Sequence, residues 1–304
     1  VVAFGQFTPR EIEVAGARLR VAVLHGAPAP DWTFIERWLT QSARAVATLY
    51  GRFPVDDAQV LVVPGARGSE PVPSAYVLRG GQPSLHFFIN QRRSEQEFLQ
   101  DWSAVHEMSH LFLPFVRPQD AWLSEGLASY LQNVLRARAG IITAEEGWRQ
   151  MHRSFRLGAR SMPDITLADA TERMHRDGAY MRVYWEGAAL MLIADQRLRE
   201  RSAGRESLDS VLEKFHACCM AASREWQGRA LLERLDGLSG TTVFSEIDQF
   251  QASQRYFPDL RPTYTQLGLD WTGGGDSLSF LLTAPQLADR EAIMAPSPRA
   301  IGTP

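Results

Sequence analysis

The sequence contains two histidines at the spacing of ligands to one metal ion. His106, Glu107 and His110 form the pattern H-E-x-x-H. Residues i and i+4 lie on the same face of a helix, about 6 Å apart, so the two imidazoles can bind a single ion. Glu107 is rotated by about 100° from His106 around the helix. Its carboxylate can therefore reach a metal-bound water molecule as a general base without being a ligand.

A metal ion held by two histidines needs a third protein ligand, and Glu125 is the candidate. It lies between Leu123 and Leu127, where burying an unpaired carboxylate would be costly and a cation would remove that cost. The alternative is a first-turn residue that interacts with the helix N-terminus. Two imidazoles and one carboxylate suit zinc better than magnesium or calcium. The sequence therefore predicts one Zn²⁺ per chain, bound by His106, His110 and Glu125.

Helical patterns dominate the chain from Ser94 onward. Ser94 and Glu97 make a capping box, and an apolar face then continues to Pro114, which predicts a single helix that contains both histidines. Residues 160–178 are predicted to be a polar loop. Other helices are predicted at residues 32–50, 120–140, 179–201, 227–235 and 243–251, and after the start signals at Thr143 and Ser207.

The strand patterns are short and lie mostly near the N-terminus. Residues 11–24 alternate as two short strands, and further strands are predicted at residues 58–63, 85–90 and 278–282. Residues 65–83 are rich in Gly, Pro and Ser and are predicted to be irregular. The predicted fold class is α+β, with a small β-containing N-terminal part packed against a mainly helical half. The predicted domains are a β segment (1–30), a catalytic domain (31–270, mixed α/β to 93 and helical after it) and a partly disordered tail (271–304).

Together, the H-E-x-x-H helix and the W-L-x-E-G run around Glu125 resemble the gluzincin metallopeptidases. The motifs are most similar to those of the glycyl aminopeptidase family, because Tyr184 to Gly187 matches its Y-x-K-G element except at Glu186. The resemblance covers roughly residues 30 to 270. It implies a thermolysin-like catalytic domain, a peptide or protein substrate, and Tyr184 as the donor that stabilises the oxyanion. Tyr180, one turn earlier, is the alternative donor.

The sequence departs from that family in three places. The gap between His110 and Glu125 is short, and Glu186 replaces the usual lysine. No G-x-M-E-N or G-G-x-E-H element, the usual source of a carboxylate that binds a substrate's free amine, precedes the zinc helix. Two alternatives to a peptidase therefore stay open: a zinc hydrolase of a non-peptide substrate, and a non-catalytic zinc-containing protein that binds peptides. From the number of residues after position 270, we expect no C-terminal PDZ module of the kind that longer members of that family have.

Composition excludes some classes of partner. The 304 residues have a net charge of -3, so no excess of positive charge favours nucleic acid, and no apolar run is long enough to span a membrane. Adjacent Cys218 and Cys219 are predicted to be buried thiols of a helix, because neighbouring residues resist a normal disulfide. The chain begins at Val1 without methionine, so we expect an upstream segment that was removed or is not included, and a signal peptide is one explanation for it. The compartment and the oligomeric state stay open.

Two further histidines are candidates for contact with a substrate. His86 lies in the predicted strand at residues 85–90, and an edge strand there would pair with an extended peptide. The alternative for His86 is a hydrogen-bonded strand histidine. His175 precedes Tyr184 in the predicted loop and is a candidate for substrate contact.

Overall fold

Strands from the N-terminal part of the chain form a five-stranded mixed sheet, in a computed structural model that describes residues 7, 9–26, 30–79, 81–220, 225–271, 277–282 and 286–296. The strands are β1 (Arg10–Val14), β2 (Ala17–Val23), β3 (Asp57–Pro64), β4 (Ser74–Leu78) and β5 (Ser84–Ile89). Their order is β1-β2-β3-β5-β4, in which the three inner strands are parallel and the two edge strands are antiparallel to their neighbours. The strands predicted at residues 11–24, 58–63 and 85–90 are confirmed.

The rest of the described chain is mainly helical, which confirms the predicted α+β class. The helices are α1 (Trp32–Ala47), α2 (Glu95–Gln100), α3 (Ser103–Ser109), α4 (Ala121–Arg138), α5 (Ala144–Arg160), α6 (Leu167–Glu172), α7 (Met174–Asp177), α8 (Tyr180–Ser202), α9 (Leu208–Cys219), α10 (Gly228–Ser239), α11 (Val243–Ser253), α12 (Arg261–Gln266) and α13 (Gln286–Met294). Thr143 and Ser207 cap α5 and α9 as predicted. Two two-residue strands, β6 (Leu269–Asp270) and β7 (Ser279–Phe280), pair with each other.

The prediction of one continuous helix from Ser94 was wrong. The capping box is present, but α2 ends at Gln100, and α3 begins separately at Ser103. His106 lies on α3, and His110 is in the short 3-10 turn that follows it. Asp101 between them has an extended backbone, and its carboxylate accepts a hydrogen bond from the Ser103 amide at 2.8 Å. A short acidic side chain that bonds to a nearby amide competes with the helical ladder, so it ends one helix and starts the next.

Three other element predictions need correction. Residues 160–178 are not a polar loop, because they contain α6 and α7, and Thr166 caps α6. The stretch 65–83 contains β4, which is one of the two edge strands, whereas β5 lies inside the sheet between β3 and β4. His86 is therefore not on an edge strand as predicted. In the tail, the strand predicted at 278–282 is only Ser279–Phe280, and α13 follows it. The partial disorder predicted for the tail stays a prediction. The last residues of that tail, 297–304, lie outside the described part.

The prediction that the two cysteines are free thiols was also wrong. Cys218 and Cys219 form a disulfide with each other at the C-terminal end of α9. The prediction rested on the backbone of neighbouring residues resisting a disulfide, but here the two cysteines are linked with their Cα atoms 3.7 Å apart. Separately, no helix in the described part of the chain has the length and hydropathy that a membrane crossing requires.

Helices α4 and α8 cross at two glycines. A Cβ atom added to Gly187 would lie 2.6 Å from the carbonyl oxygen of Trp122 and 2.8 Å from the Cα atom of Gly126. These backbones can approach so closely only without side chains. Because Gly126 follows Glu125 and Gly187 is three residues after Tyr184, the crossing sets the distance between these two functional candidates.

Replacing Gly187 by Ala is therefore expected to destabilise the fold by about 1–3 kcal/mol, since the methyl group overlaps backbone atoms that cannot rotate away. The matched control is Gly237→Ala, on the exposed side of α10 with open space around its Cβ position. That change should stabilise by about 0.4–1 kcal/mol. Urea unfolding of both variants checks this, and a Gly187→Ala protein as stable as the wild type would contradict the tight crossing.

Candidate metal centre

The structure brings His106, His110 and Glu125 together, and these three residues form the metal group. The Nε2 atoms of the two histidines, on α3 and just after it, lie 3.4 and 3.5 Å from Oε2 of Glu125, which is in the second turn of α4. One potential ligand atom from each residue lies within 4.8 Å of the others. Both imidazoles are almost fully buried, and the Glu125 side chain is 20% exposed. The three donor atoms face one point from two helices.

The second nitrogen of each imidazole has a hydrogen-bond partner. Nδ1 of His106 lies 2.8 Å from Oε1 of Gln132, and Nδ1 of His110 lies 2.8 Å from Oγ of Ser124. Protonation at Nδ1 leaves Nε2 with a free lone pair on the side of Glu125. Metal-ligating histidines usually donate their other N–H to a group of this kind. The donor set and its partners therefore fit a zinc ion.

Glu107 lies beside this group on α3 and is buried. Burial raises the pKa of its carboxyl group to about 7, with a further contribution from the charge of Glu125 and opposing ones from His106 and Arg79. A carboxyl group with a pKa near neutrality can both accept and donate a proton at physiological pH.

Tyr184 also reaches the group. Its ring stacks on that of His106 with a centroid distance of 5.8 Å, and its hydroxyl interacts with the Glu125 carboxylate. Burial raises the pKa of Tyr184, and the carboxylates of Glu125 and Glu107 raise it further, so the phenol stays protonated and remains a donor. Tyr180, in contrast, is more exposed, and its hydroxyl lies 3.0 Å from Nδ1 of His175.

Glu186 and His86 do not join the metal group. Glu186 is fully buried and forms an ion pair with Arg182, one turn earlier on α8. The positive charge of Arg182 therefore balances the carboxylate of Glu186, which stands where the resembling family usually has lysine. His86 is buried in β5, where its Nε2 lies 2.9 Å from Oγ of Ser84 and its ring stacks on Tyr76. This matches the alternative interpretation of His86 as a hydrogen-bonded strand residue.

Sequence reasoning missed three polar residues around the metal group. Gln132 follows Glu125 by seven residues, which is two helical turns. The spacing therefore predicts that the two side chains lie on the same face of α4. Ser124 is adjacent to Glu125, which is a weaker signal. Arg79 follows β4, and its guanidinium contacts both Ser124 and the carbonyl oxygen of His110. No local pattern indicates that contact.

Comparisons with known proteins identify similar folds. No family model and no curated protein matches the chain. Among solved structures, it is similar to an aminopeptidase N family protein from Idiomarina loihiensis, with 15% identity, a TM-score of 0.66, and coverage of 87% of this chain and 50% of that one. It is also similar to an M1 zinc metallopeptidase from Deinococcus radiodurans, with 17% identity, a TM-score of 0.56, and coverage of 84% and 53%.

A further structure of the Deinococcus radiodurans protein, a mutant bound to a Tyr-Ser-Ala substrate, has 17% identity, a TM-score of 0.58, and coverage of 84% of this chain and 54% of that one. The chain thus spans about half the length of the structures it resembles. At these identities the likeness concerns the fold, and it agrees with the catalytic-domain fold that the motifs implied. The closer resemblance to the glycyl aminopeptidase family stays a prediction.

Proposed function

We propose that this chain is a zinc-dependent peptidase with one Zn²⁺ held by His106, His110 and Glu125. The convergence of two Nε2 atoms and one carboxylate oxygen, with both Nδ1 atoms already hydrogen-bonded, is the observation on which the proposal rests. A fold shared with zinc metallopeptidases supports it. Zinc bound by such a set lowers the pKa of a water molecule to about 7 and polarises a carbonyl group.

Two further side chains of this chain would perform the proton and charge transfers. Glu107 would accept the proton of the attacking water molecule and then pass it to the leaving amine. Tyr184 donates a hydrogen bond to the carbonyl oxygen as that oxygen becomes negative. A fixed donor stabilises the transition state most where charge develops.

The surroundings of the metal group suit an extended peptide. β4 is an edge strand that contacts α3, and in the described part of the chain no further strand pairs with its outer side. An extended substrate can add to such an edge through main-chain hydrogen bonds. Exposed Trp102 packs on the ring of His106, and exposed Phe115 packs on Arg79. These rings offer apolar surface to substrate side chains at the metal group.

A mixed peptide library tests the proposal against its two alternatives. The zinc-loaded chain is incubated with the library, and products are identified by mass spectrometry with and without a chelator. The proposal requires cleavage that the chelator stops. Peptides that are retained but uncut would favour a zinc-containing binding protein, and peptides neither cut nor retained would favour a non-peptide hydrolase.

Blocking the N-terminus of a substrate by acetylation is not expected to stop cleavage. An aminopeptidase needs a carboxylate to pair with the substrate's charged amine, because that charge is costly to desolvate alone. None of the residues of β4 (Ser74–Leu78) is acidic, and the next residue is Arg79. Matched free and acetylated peptides, compared by mass spectrometry, check this expectation. Cleavage confined to free N-termini would contradict it, and Glu70→Gln would then test the nearest upstream acid.

A further inference from the structure

Arg79 connects three elements of the metal centre. It is the first residue after β4, and its Nη1 donates to the carbonyl oxygen of His110 at 2.9 Å. The same nitrogen lies 3.4 Å from the carbonyl oxygens of Leu113 and Pro114. Its Nη2 donates to Oγ of Ser124 on α4 at 3.0 Å. The Arg79 guanidinium thus connects the end of β4 with the turn that follows α3 and with α4, which contains Glu125.

These contacts meet at His110. The Ser124 oxygen that accepts from Arg79 also lies 2.8 Å from Nδ1 of His110. A hydroxyl oxygen has two lone pairs, so it can accept from the guanidinium and from the imidazole together. Arg79 therefore reaches His110 twice, directly at its main-chain carbonyl and through Ser124 at its ring.

We propose that Arg79 is a positioning residue, which fixes the ring of His110 for metal binding through Ser124 and the carbonyl oxygen of His110. The inference rests on the proposed metal centre and adds a residue outside the recognised zinc motifs. The hydrogen bonds of Arg79 go to Ser124 and to main-chain carbonyl oxygens, and not to the three ligand atoms. Its effect is to reduce the freedom of a ring that must present Nε2 to the ion.

The planar guanidinium suits this role better than an ammonium group. Its nitrogens point in fixed directions, so Nη1 can donate to His110 while Nη2 donates to Ser124. The single ammonium group of lysine cannot reproduce this pair of hydrogen bonds. Burying the guanidinium is costly, and the negative charges of Glu125 and Glu107 offset part of that cost. A replacement without the guanidinium would remove its hydrogen bonds to His110 and Ser124.

Zinc affinity, measured by competition with a chelating dye, tests the proposal independently of peptidase activity. Arg79→Ala and Ser124→Ala should each weaken zinc binding by roughly 10- to 100-fold, the usual effect of removing a group that supports a metal ligand. The double variant should lose less than the product of the two single effects, because both changes act on the same ring. Arg79→Lys should recover only part of the loss.

Arg290→Ala is the matched control. Arg290 is also buried and donates to the carbonyl oxygens of Gly268 and Leu281, but its hydrogen bonds do not reach the metal group. It should lower thermal stability and leave zinc affinity unchanged. Equal losses of zinc affinity in the Arg290 and Arg79 variants would overturn the proposal, because they would reflect general destabilisation.

The outcomes separate this inference from the proposed function. A wild-type chain that binds zinc, together with folded Arg79→Ala and Ser124→Ala variants that bind it equally well, would overturn the role of Arg79 alone. A wild-type chain that binds no zinc would overturn the proposed function and this inference with it. If Arg79→Ala does not fold, Arg79→Gln and Ser124→Ala are compared instead, and unchanged zinc affinity in both would overturn the inference.

Discussion

Replacing Glu107 by Gln is expected to lower the turnover of peptides by at least about 100-fold, the usual contribution of a general base. The amide keeps the shape of the side chain but cannot accept the proton of a water molecule. Zinc should stay bound, because Glu107 is not one of the three residues whose ligand atoms converge. Steady-state kinetics and elemental analysis of the same sample check both parts of the prediction.

Glu145→Gln serves as the control for this change. Glu145 lies on the exposed face of α5 and pairs with Arg149 at the surface, so its replacement should alter neither turnover nor zinc content. Peptidase activity that survives unchanged in Glu107→Gln would show that another group is the base. Loss of zinc from that variant would instead show that Glu107 helps to hold the metal.

Replacing His106 by Ala is expected to remove zinc from the protein. The change deletes one of three ligand atoms and leaves Oε1 of Gln132 without its imidazole partner. A site with only two protein ligands is incomplete, since catalytic zinc sites have three. Zinc content after dialysis should fall from about one ion per chain, as a three-ligand site requires, to well below that ratio.

His152→Ala separates this effect from a general loss of stability. His152 is equally buried, but its ring lies against Tyr264 and Trp271, and it is not one of the three residues whose ligand atoms converge. That variant should be less stable and still bind zinc. Retention of a full equivalent of zinc by His106→Ala would remove this histidine from the ligand set.

The sequence predicted the metal group because helical spacing is a local property. His106 and His110 need only one turn of helix to share a face, and Glu125 needs only the next long helix to pack against it. Contact with Gln132 follows from the same spacing along α4. The two glycines at the α4–α8 crossing belong to the W-L-x-E-G run and to the run from Tyr184 to Gly187. Their close approach is visible only when both helices are placed in three dimensions.

The missed features depend on contacts between distant parts of the chain. Arg79 contacts His110 and Ser124, which are 31 and 45 residues later. β4 lies in a stretch rich in Gly and Pro and is defined by pairing with β5. The break between α2 and α3 depends on the buried carboxylate of Asp101, which the spacing of apolar residues does not predict. Pattern therefore identified the ligand candidates, while their supporting residues required the tertiary structure.

Titration of the metal-free chain with zinc, followed by cleavage of the mixed peptide library, tests the central proposal most directly. The chain is first stripped of metal with a chelator, and activity is then recorded as zinc is added. We expect no cleavage without zinc and a rise that ends at about one equivalent per chain, as a single three-ligand site requires. No cleavage at any zinc concentration, or cleavage that persists in the stripped chain, would contradict a zinc peptidase.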